Sequence, residues 1–264
     1  MDSNFYFINA FTKEKFKGNP AAIVMLTEKV SEKWMQSLAS EFNQPITTFM
    51  SKIDDNSFGL RWFTPTTEIN LCGHGTLGAA HILWSEGMVS SQLPINFHTK
   101  AGELQANLIQ QQIQLTFTII ESQNIQQTEE LETIVGLPIK ASAWAKDRYI
   151  IELENADMVH RVNPNLERMK NLDGAGMVIT SRGFDKYDFV SRYFAPKIGV
   201  NEDHVTGSAH CALASYWGRI CKKDVFFAYQ DSARGGELKL KIIDGEKVEL
   251  IGDCISLMNG KLNS

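Results

Sequence analysis

Cysteine is scarce in this chain and stands in no metal-binding or redox spacing. Cys72, Cys211, Cys221 and Cys254 include no CxxC pair and sit in apolar or helical contexts, so thiols are expected rather than disulfides. Histidine offers no metal spacing either. Neither His74 with His81 nor His204 with His210 has a usual metal spacing on a helix, no HExxH occurs, and no metal is expected. Positive charge is in deficit, with 26 Lys and Arg against 31 Asp and Glu and a net charge of −5. Phosphate backbones call for a concentrated basic face, so nucleic acid is not an expected partner. Long apolar runs are missing too: none approaches the length that spans a bilayer. Met1-Asp2-Ser3-Asn4-Phe5 lacks the basic-then-apolar order of a signal peptide. The expectation is a cytoplasmic protein with no membrane partner.

What is present is apolar residue, 43% of 264, ample for one large or two ordinary cores. It is arranged in a repeat. Arg61-Trp62-Phe63-Thr64-Pro65 precedes Cys72-Gly73-His74-Gly75 and an apolar run from Thr76 to Trp84; Arg192-Tyr193-Phe194-Ala195-Pro196 precedes Thr206-Gly207-Ser208-Ala209 and an apolar run ending at Trp217. Gly73 follows Pro65 by eight positions and Gly207 follows Pro196 by eleven, so the copies differ by three residues in one loop. Each copy reads as a strand, a polar loop and a helix that opens on glycine and is apolar nearly all round. Such a helix belongs inside a core.

The flanking pattern extends the repeat. Phe5 to Phe11 and Ala21 to Leu26 read as strands around the turn Gly18-Asn19-Pro20. Ser31 caps a helix carrying Trp34, Met35, Leu38, Ala39 and Phe42 on one face, which Asn43 and Pro45 stop. Strands follow from about Ile46 and from Phe58 to Phe63, and after the glycine-opened helix three more run over 95–99, 104–108 and 113–117. The polar stretch Glu121 to Gln127 reads as a hinge. Beyond it Thr128 caps a short acidic helix ending at Gly136, and strands over 141–145, 149–153 and 177–180, with a helix from about Asn165, repeat the order. Strands over 189–194, 225–229, 238–243 and 248–251 complete the second copy. The strand Ile255 to Met258 is surplus and is expected to return to the first. The sequence thus predicts an α+β protein made by duplication, with an N-terminal lobe over 1–120 that takes back about 253–264, and a C-terminal lobe over 128–252. Each lobe wraps strands round a central helix, and the cleft between lobes is the natural place for an active site.

Each helix start offers free backbone N–H groups and about half a positive elementary charge, suited to a small carboxylate-bearing metabolite. Gly73, Gly75 and Gly207 would let such a ligand approach; equally, they would let a helix start pack closely on a strand. His74 and Ser208 occupy equivalent positions, each second in its glycine turn. His74 reads as a catalyst or as a structural donor, and Asp203, four residues before Gly207, as an active-site carboxylate or a helix cap. Arg234-Gly235-Gly236 reads as a hairpin turn or as a means of bringing a cation to the site, and Asn19 in its Gly-Asn-Pro loop is equally open. A Ser208/His74 hydrolase lacks the strained Gly-x-Ser-x-Gly elbow.

Asn9-Ala10-Phe11, Gly18-Asn19-Pro20-Ala21-Ala22, Arg61-Trp62-Phe63-Thr64-Pro65-Thr66 with Glu68, Cys72-Gly73-His74, Glu202-Asp203 with Thr206-Gly207-Ser208-Ala209-His210, and Arg234-Gly235-Gly236 fall in order along nearly the whole chain. Together they resemble the PhzF-like phenazine biosynthesis family. The resemblance implies a diaminopimelate-epimerase-like fold, a homodimer, and isomerisation by proton transfer without a cofactor. It places the family's functional His, Asp and Ser on His74, Asp203 and Ser208. The family's general-base Glu falls on Ile46, within Pro45-Ile46-Thr47-Thr48-Phe49. Glu41 could take the role only in a shifted alignment that loses Thr47-Thr48-Phe49. The related two-cysteine racemases are not matched, because Cys72 has Thr206 as its counterpart. The expectation is a PhzF-like isomerase with Asp203 as the remaining base; the alternative is a family member that only binds an anionic metabolite or a protein.

Overall fold

The computed structural model describes residues 3–263. Met1 and Asp2, which enter the reading of the N-terminus, lie outside the described residues. The chain forms two compact units, one of residues 1–116 and 251–264, the other of residues 117–250. No helix among the described residues is long and apolar enough to cross a membrane.

The first unit opens with β1 (Asn4–Ala10) and β2 (Asn19–Leu26), joined through Gly18 at φ 68°. A Cβ there would fall 2.2 Å from the Ala10 carbonyl, so glycine is required twice over, by conformation and by space. Helix α1 (Glu32–Phe42) starts where Ser31 accepts from Trp34 N and ends at Asn43 in the left-handed region. Then come β3 (Thr47–Lys52), β4 (Ser57–Phe63), the two-residue β5 (Glu68–Ile69), α2 (Gly73–Ser85), β6 (Ile95–Thr99), β7 (Gly102–Ile109) and β8 (Gln112–Thr118). Helix α2 packs on β1, β2, β3 and the final strand, Cys254–Lys261, which pairs antiparallel with β1.

The second unit holds β9 (Gln123–Asn124), α3 (Glu129–Val135), β10 (Ala141–Ala145), β11 (Arg148–Glu152), α4 (Ala156–Arg161), α5 (Leu166–Met169) and β12 (Gly176–Arg182). It continues through β13 (Phe189–Ala195), a 3-10 turn (Pro196–Ile198), β14 (Val200–Asp203), α6 (Gly207–Cys221), β15 (Val225–Gln230), β16 (Gly236–Ile243) and β17 (Lys247–Gly252).

Duplication is visible in the strand pairing. In the first unit β2 pairs parallel with β3, β3 antiparallel with β4, β4 antiparallel with β5 and parallel with β6, and β6 antiparallel with β7. In the second, β11–β12, β12–β13, β13–β14, β13–β15 and β15–β16 repeat that series of senses. The repeat reaches side chains. Arg61 grips Glu68 with two bonds of 2.7 Å and lies over Phe63; Arg192 grips Glu202 at 2.7 and 2.9 Å and lies over Phe194. In each unit a bidentate pair clips the short strand before the central helix to its neighbour.

The stretch 121–127 differs from its reading as a hinge. It is anchored to α6: Ser122 N donates to Ser215 Oγ, Arg219 donates to Ser122 Oγ, and Ser215 donates to Glu121. Its β9 pairs with β10. Ser122 is itself buried, so part of this polarity satisfies buried partners, while Gln123, Asn124 and Gln126 stay exposed.

Candidate functional site

Each unit presents a helix start built on the glycine turn, and the two starts are finished differently. At α2 the cap is Cys72, extended at φ −143°, whose Sγ accepts from Gly75 N at 3.4 Å. His74 Nδ1 lies 3.4 Å from the same sulfur. Thr76 donates its hydroxyl to the Cys72 carbonyl at 2.7 Å, closing the first turn from below. A Cβ on Gly75 would lie 2.6 Å from Thr48 Oγ1 and 2.9 Å from Trp62 Cδ1, both in buried side chains. Close packing of the helix start on β3 and β4 therefore accounts for Gly75. Asn19 is a buried strand residue opposite Ala10. Ile46 is buried as well, and its carbonyl accepts from Ala22 N.

At α6 the cap is Thr206, and its side chain does not cap the helix. The hydroxyl donates instead to Asp203 Oδ2 at 2.6 Å. Its backbone N–H donates to Gln230 Oε1 at 2.8 Å, while Gln230 Nε2 reaches the Asp203 carbonyl at 2.7 Å and Thr206 Oγ1 at 3.2 Å. Asp203 is thus held against the helix start by a buried amide and a buried hydroxyl. The adjacent carboxylate, Glu202, is committed to Arg192.

Ser208 Oγ accepts from Arg148 Nη1 at 2.9 Å. Arg148 is only 6% exposed, donates Nε to Asp147 at 2.8 Å and lies over the Tyr193 ring. Burial works against its charge, but Tyr193 and Asp147 outweigh that and hold its pKa above the ordinary value. Strand β11 places Arg148 and Glu152 on one face. Glu152 accepts from Tyr216 Oη at 2.6 Å, so both ends of the strand grip α6. His210, wholly buried, points Nδ1 to the Thr206 carbonyl at 2.8 Å, and burial pushes its pKa down to about 4. It is a neutral imidazole inside the helix packing.

The Arg234-Gly235-Gly236 segment is a turn. Gly235 has φ 65°, and a Cβ would meet Tyr229 Oη at 2.0 Å. The turn is docked beside Asp203, because Ser232 Oγ accepts from Gly235 N and donates to the His204 carbonyl. The positive charge of Arg234 adds to burial in lowering the pKa of His204.

Of the residues singled out in the sequence, Asp203, Gly207 and Ser208 meet at the α6 start in the second unit. Gly73, His74, Gly75 and Asn19 belong to the first. Arg148, Gln230 and the role of the Thr206 hydroxyl were not legible in the sequence. Among the described residues no three His, Cys, Asp or Glu side chains come together in a metal-holding group.

A family model described as phenazine biosynthesis-like protein, PhzC-PhzF, matches residues 8–260. An uncharacterized isomerase of Halalkalibacterium halodurans is 41% identical over 265 residues, covering 99% of each chain. The crystal structure of a PhzF-family phenazine biosynthesis protein from Enterococcus faecalis superposes with a TM-score of 0.95 at 35% identity over the whole of both chains. A predicted epimerase from Pseudomonas aeruginosa shares the fold, with a TM-score of 0.75 at 17% identity over 99% of each chain.

Proposed function

Because this chain belongs to the PhzC-PhzF family of phenazine biosynthesis-like proteins, we propose that it is an isomerase moving a proton on a small carboxylate-bearing metabolite without a cofactor. The observation that carries the reading is the α6 start. There a carboxylate, Asp203, is fixed by a hydroxyl, at the same turn where Ser208 is tied to a buried arginine. Asp203 acts as the base, with Thr206 donating to one of its oxygens and fixing the carboxylate's orientation. Ser208 accepts from Arg148, so its own hydroxyl proton is available to a ligand oxygen. Arg148 and the helix start concentrate positive potential, which selects a carboxylate. His74 is assigned the second proton-handling role, and Gly73, Gly75, Gly207 and Asn19 are assigned to ligand contact. Packing explains Gly75 without a ligand, so its share in that contact is through its backbone.

One observation favours a second reading. Ile46, onto which the resemblance places the family's general base, is a buried aliphatic side chain that cannot carry a proton. A descendant that binds its metabolite without turning it over would keep the same anion-selecting groups.

Incubating the protein with a metabolite pool in D2O, followed by mass spectrometry, separates the two. Isomerisation by proton transfer predicts deuterium entering one carboxylate metabolite, and Asp203→Asn should slow that by about 10²–10⁴-fold, the usual worth of a general base. Unimpaired exchange in Asp203→Asn would remove Asp203 from the mechanism. Saturable retention of a compound without exchange would favour the binding protein.

A further inference from the structure

Gln230 closes β15 with its side chain fully buried, and it bonds both Asp203 and Thr206. Its orientation is fixed by its partners. Thr206 N can only donate and the Asp203 carbonyl can only accept, so Oε1 must face the first and Nε2 the second. Nε2 then also donates to Thr206 Oγ1, at 3.2 Å. A hydroxyl that accepts there turns its own proton to Asp203 Oδ2, and the 2.6 Å separation is that of a charge-assisted bond. Proton direction therefore runs one way, from Gln230 through Thr206 to Asp203. The amide and the hydroxyl lie where burial excludes water as a substitute, Thr206 being 7% exposed.

We propose that Gln230 is a positioning residue which acts through Thr206 to fix the orientation of the Asp203 carboxylate. The inference rests on reading Asp203 as the proton-transfer group. Nothing in the cap geometry of α6 demands the arrangement. A threonine at an N-cap ordinarily gives its oxygen to the helix's own N–H groups, as Cys72 gives its sulfur at α2. Here Thr206 is diverted to the carboxylate. Asp203 acts electrostatically on His204 from the loop ahead of α6, His210 from α6 and Tyr193 from β13, and Arg234, from the β15–β16 turn, acts on His204.

The test follows the side-chain carboxyl carbon of Asp203 by NMR at neutral pH. Thr206→Val removes the donor. Gln230→Met removes both amide groups without adding a charge. Both should move the Asp203 carboxyl resonance, since the bond that orients the carboxylate is lost or loosened. Thr206→Ser, which keeps the hydroxyl, should stay close to the unsubstituted value. A shift in Thr206→Val but not in Gln230→Met overturns the role of Gln230, and no shift in either overturns the relay. Should the variants fail to fold, the unsubstituted protein decides: a Thr206 hydroxyl proton protected from exchange supports the relay, and one exchanging as fast as an exposed hydroxyl overturns it. The measurement needs no substrate. Absence of deuterium incorporation by the unsubstituted protein would count against the isomerase and leave this result intact.

Discussion

Arg148 is a cation placed beside a helix start that is already positive, an arrangement that costs energy unless anions accompany it. Asp147 supplies one, and Ser208 accepts from the guanidinium on the other side. Arg148→Met keeps much of the stem's packing and removes both bonds. Hydrogen bonds to charged groups are worth about 1.5–3 kcal/mol each in favourable cases. Because Asp147 can turn to water while Ser208 stays at the helix, one such loss is expected rather than two. Urea denaturation should show unfolding free energy lower by about 1.5–3 kcal/mol, and an unchanged midpoint would mean the guanidinium contributes nothing net to the fold. The residue was hidden in the sequence for a physical reason. Lys146-Asp147-Arg148 reads as a solvated turn, and period-two alternation puts Arg148 and Glu152 on one face without telling which face is buried. Ser208 was singled out as second in a repeated glycine turn, and Asp203 as a carboxylate four residues before Gly207. Their holders were not, since Gln230 is 24 residues away from Thr206 in sequence and carries no local pattern.

At the scale of elements, the two central helices were the most readable parts of the chain, because an apolar run opening on glycine admits few other interpretations. Caps at Ser31 and Thr128 were equally plain, each accepting from an N–H three residues on. Short pieces escaped: β5 and β14 are too brief for a periodic signal, and α4 follows its cap Asn155 for only six residues. Glycine was ambiguous for a different reason, since close packing and ligand approach call for the same missing Cβ. Gly75→Ala distinguishes them. An alanine gains up to about 1 kcal/mol in helix propensity, but its methyl would sit 2.6 and 2.9 Å from atoms of Thr48 and Trp62. Overpacking a buried contact costs about 1–3 kcal/mol, so the packing loss should win. Chemical denaturation of Gly75→Ala is therefore expected to show a less stable protein, and an equal or higher midpoint would mean β3 and β4 yield readily at that point.

For the whole molecule, duplication was legible in the motif order and is repeated in the pairing senses and the two arginine clips. What the sequence could not supply is how unequally the copies are finished: a sulfur caps α2, and a hydroxyl beside α6 is spent on a carboxylate. The second copy also buries a histidine completely, and this ties stability to pH. His210 has its pKa pushed down from the ordinary 6.5 to about 4 by burial, so the folded state resists the proton that the unfolded chain accepts. Between those two values the unfolded chain binds more protons, and unfolding free energy falls as pH falls. Stability from this group is intact above pH 6.5, erodes through the window and levels off below about 4. At about 1.4 kcal/mol per pKa unit, the full loss is about 3 kcal/mol. Glu68, whose carboxyl the Arg61 guanidinium holds below its ordinary value, adds its own acid sensitivity, so the histidine share must be read by difference. His210→Asn keeps a donor near the Thr206 carbonyl and cannot take up a proton in this range. Urea midpoints taken from pH 7 to pH 4.5 should fall less steeply for His210→Asn than for the unsubstituted protein. Parallel slopes would show that the imidazole takes its proton in the folded state as readily as in the unfolded one, against the burial that surrounds it.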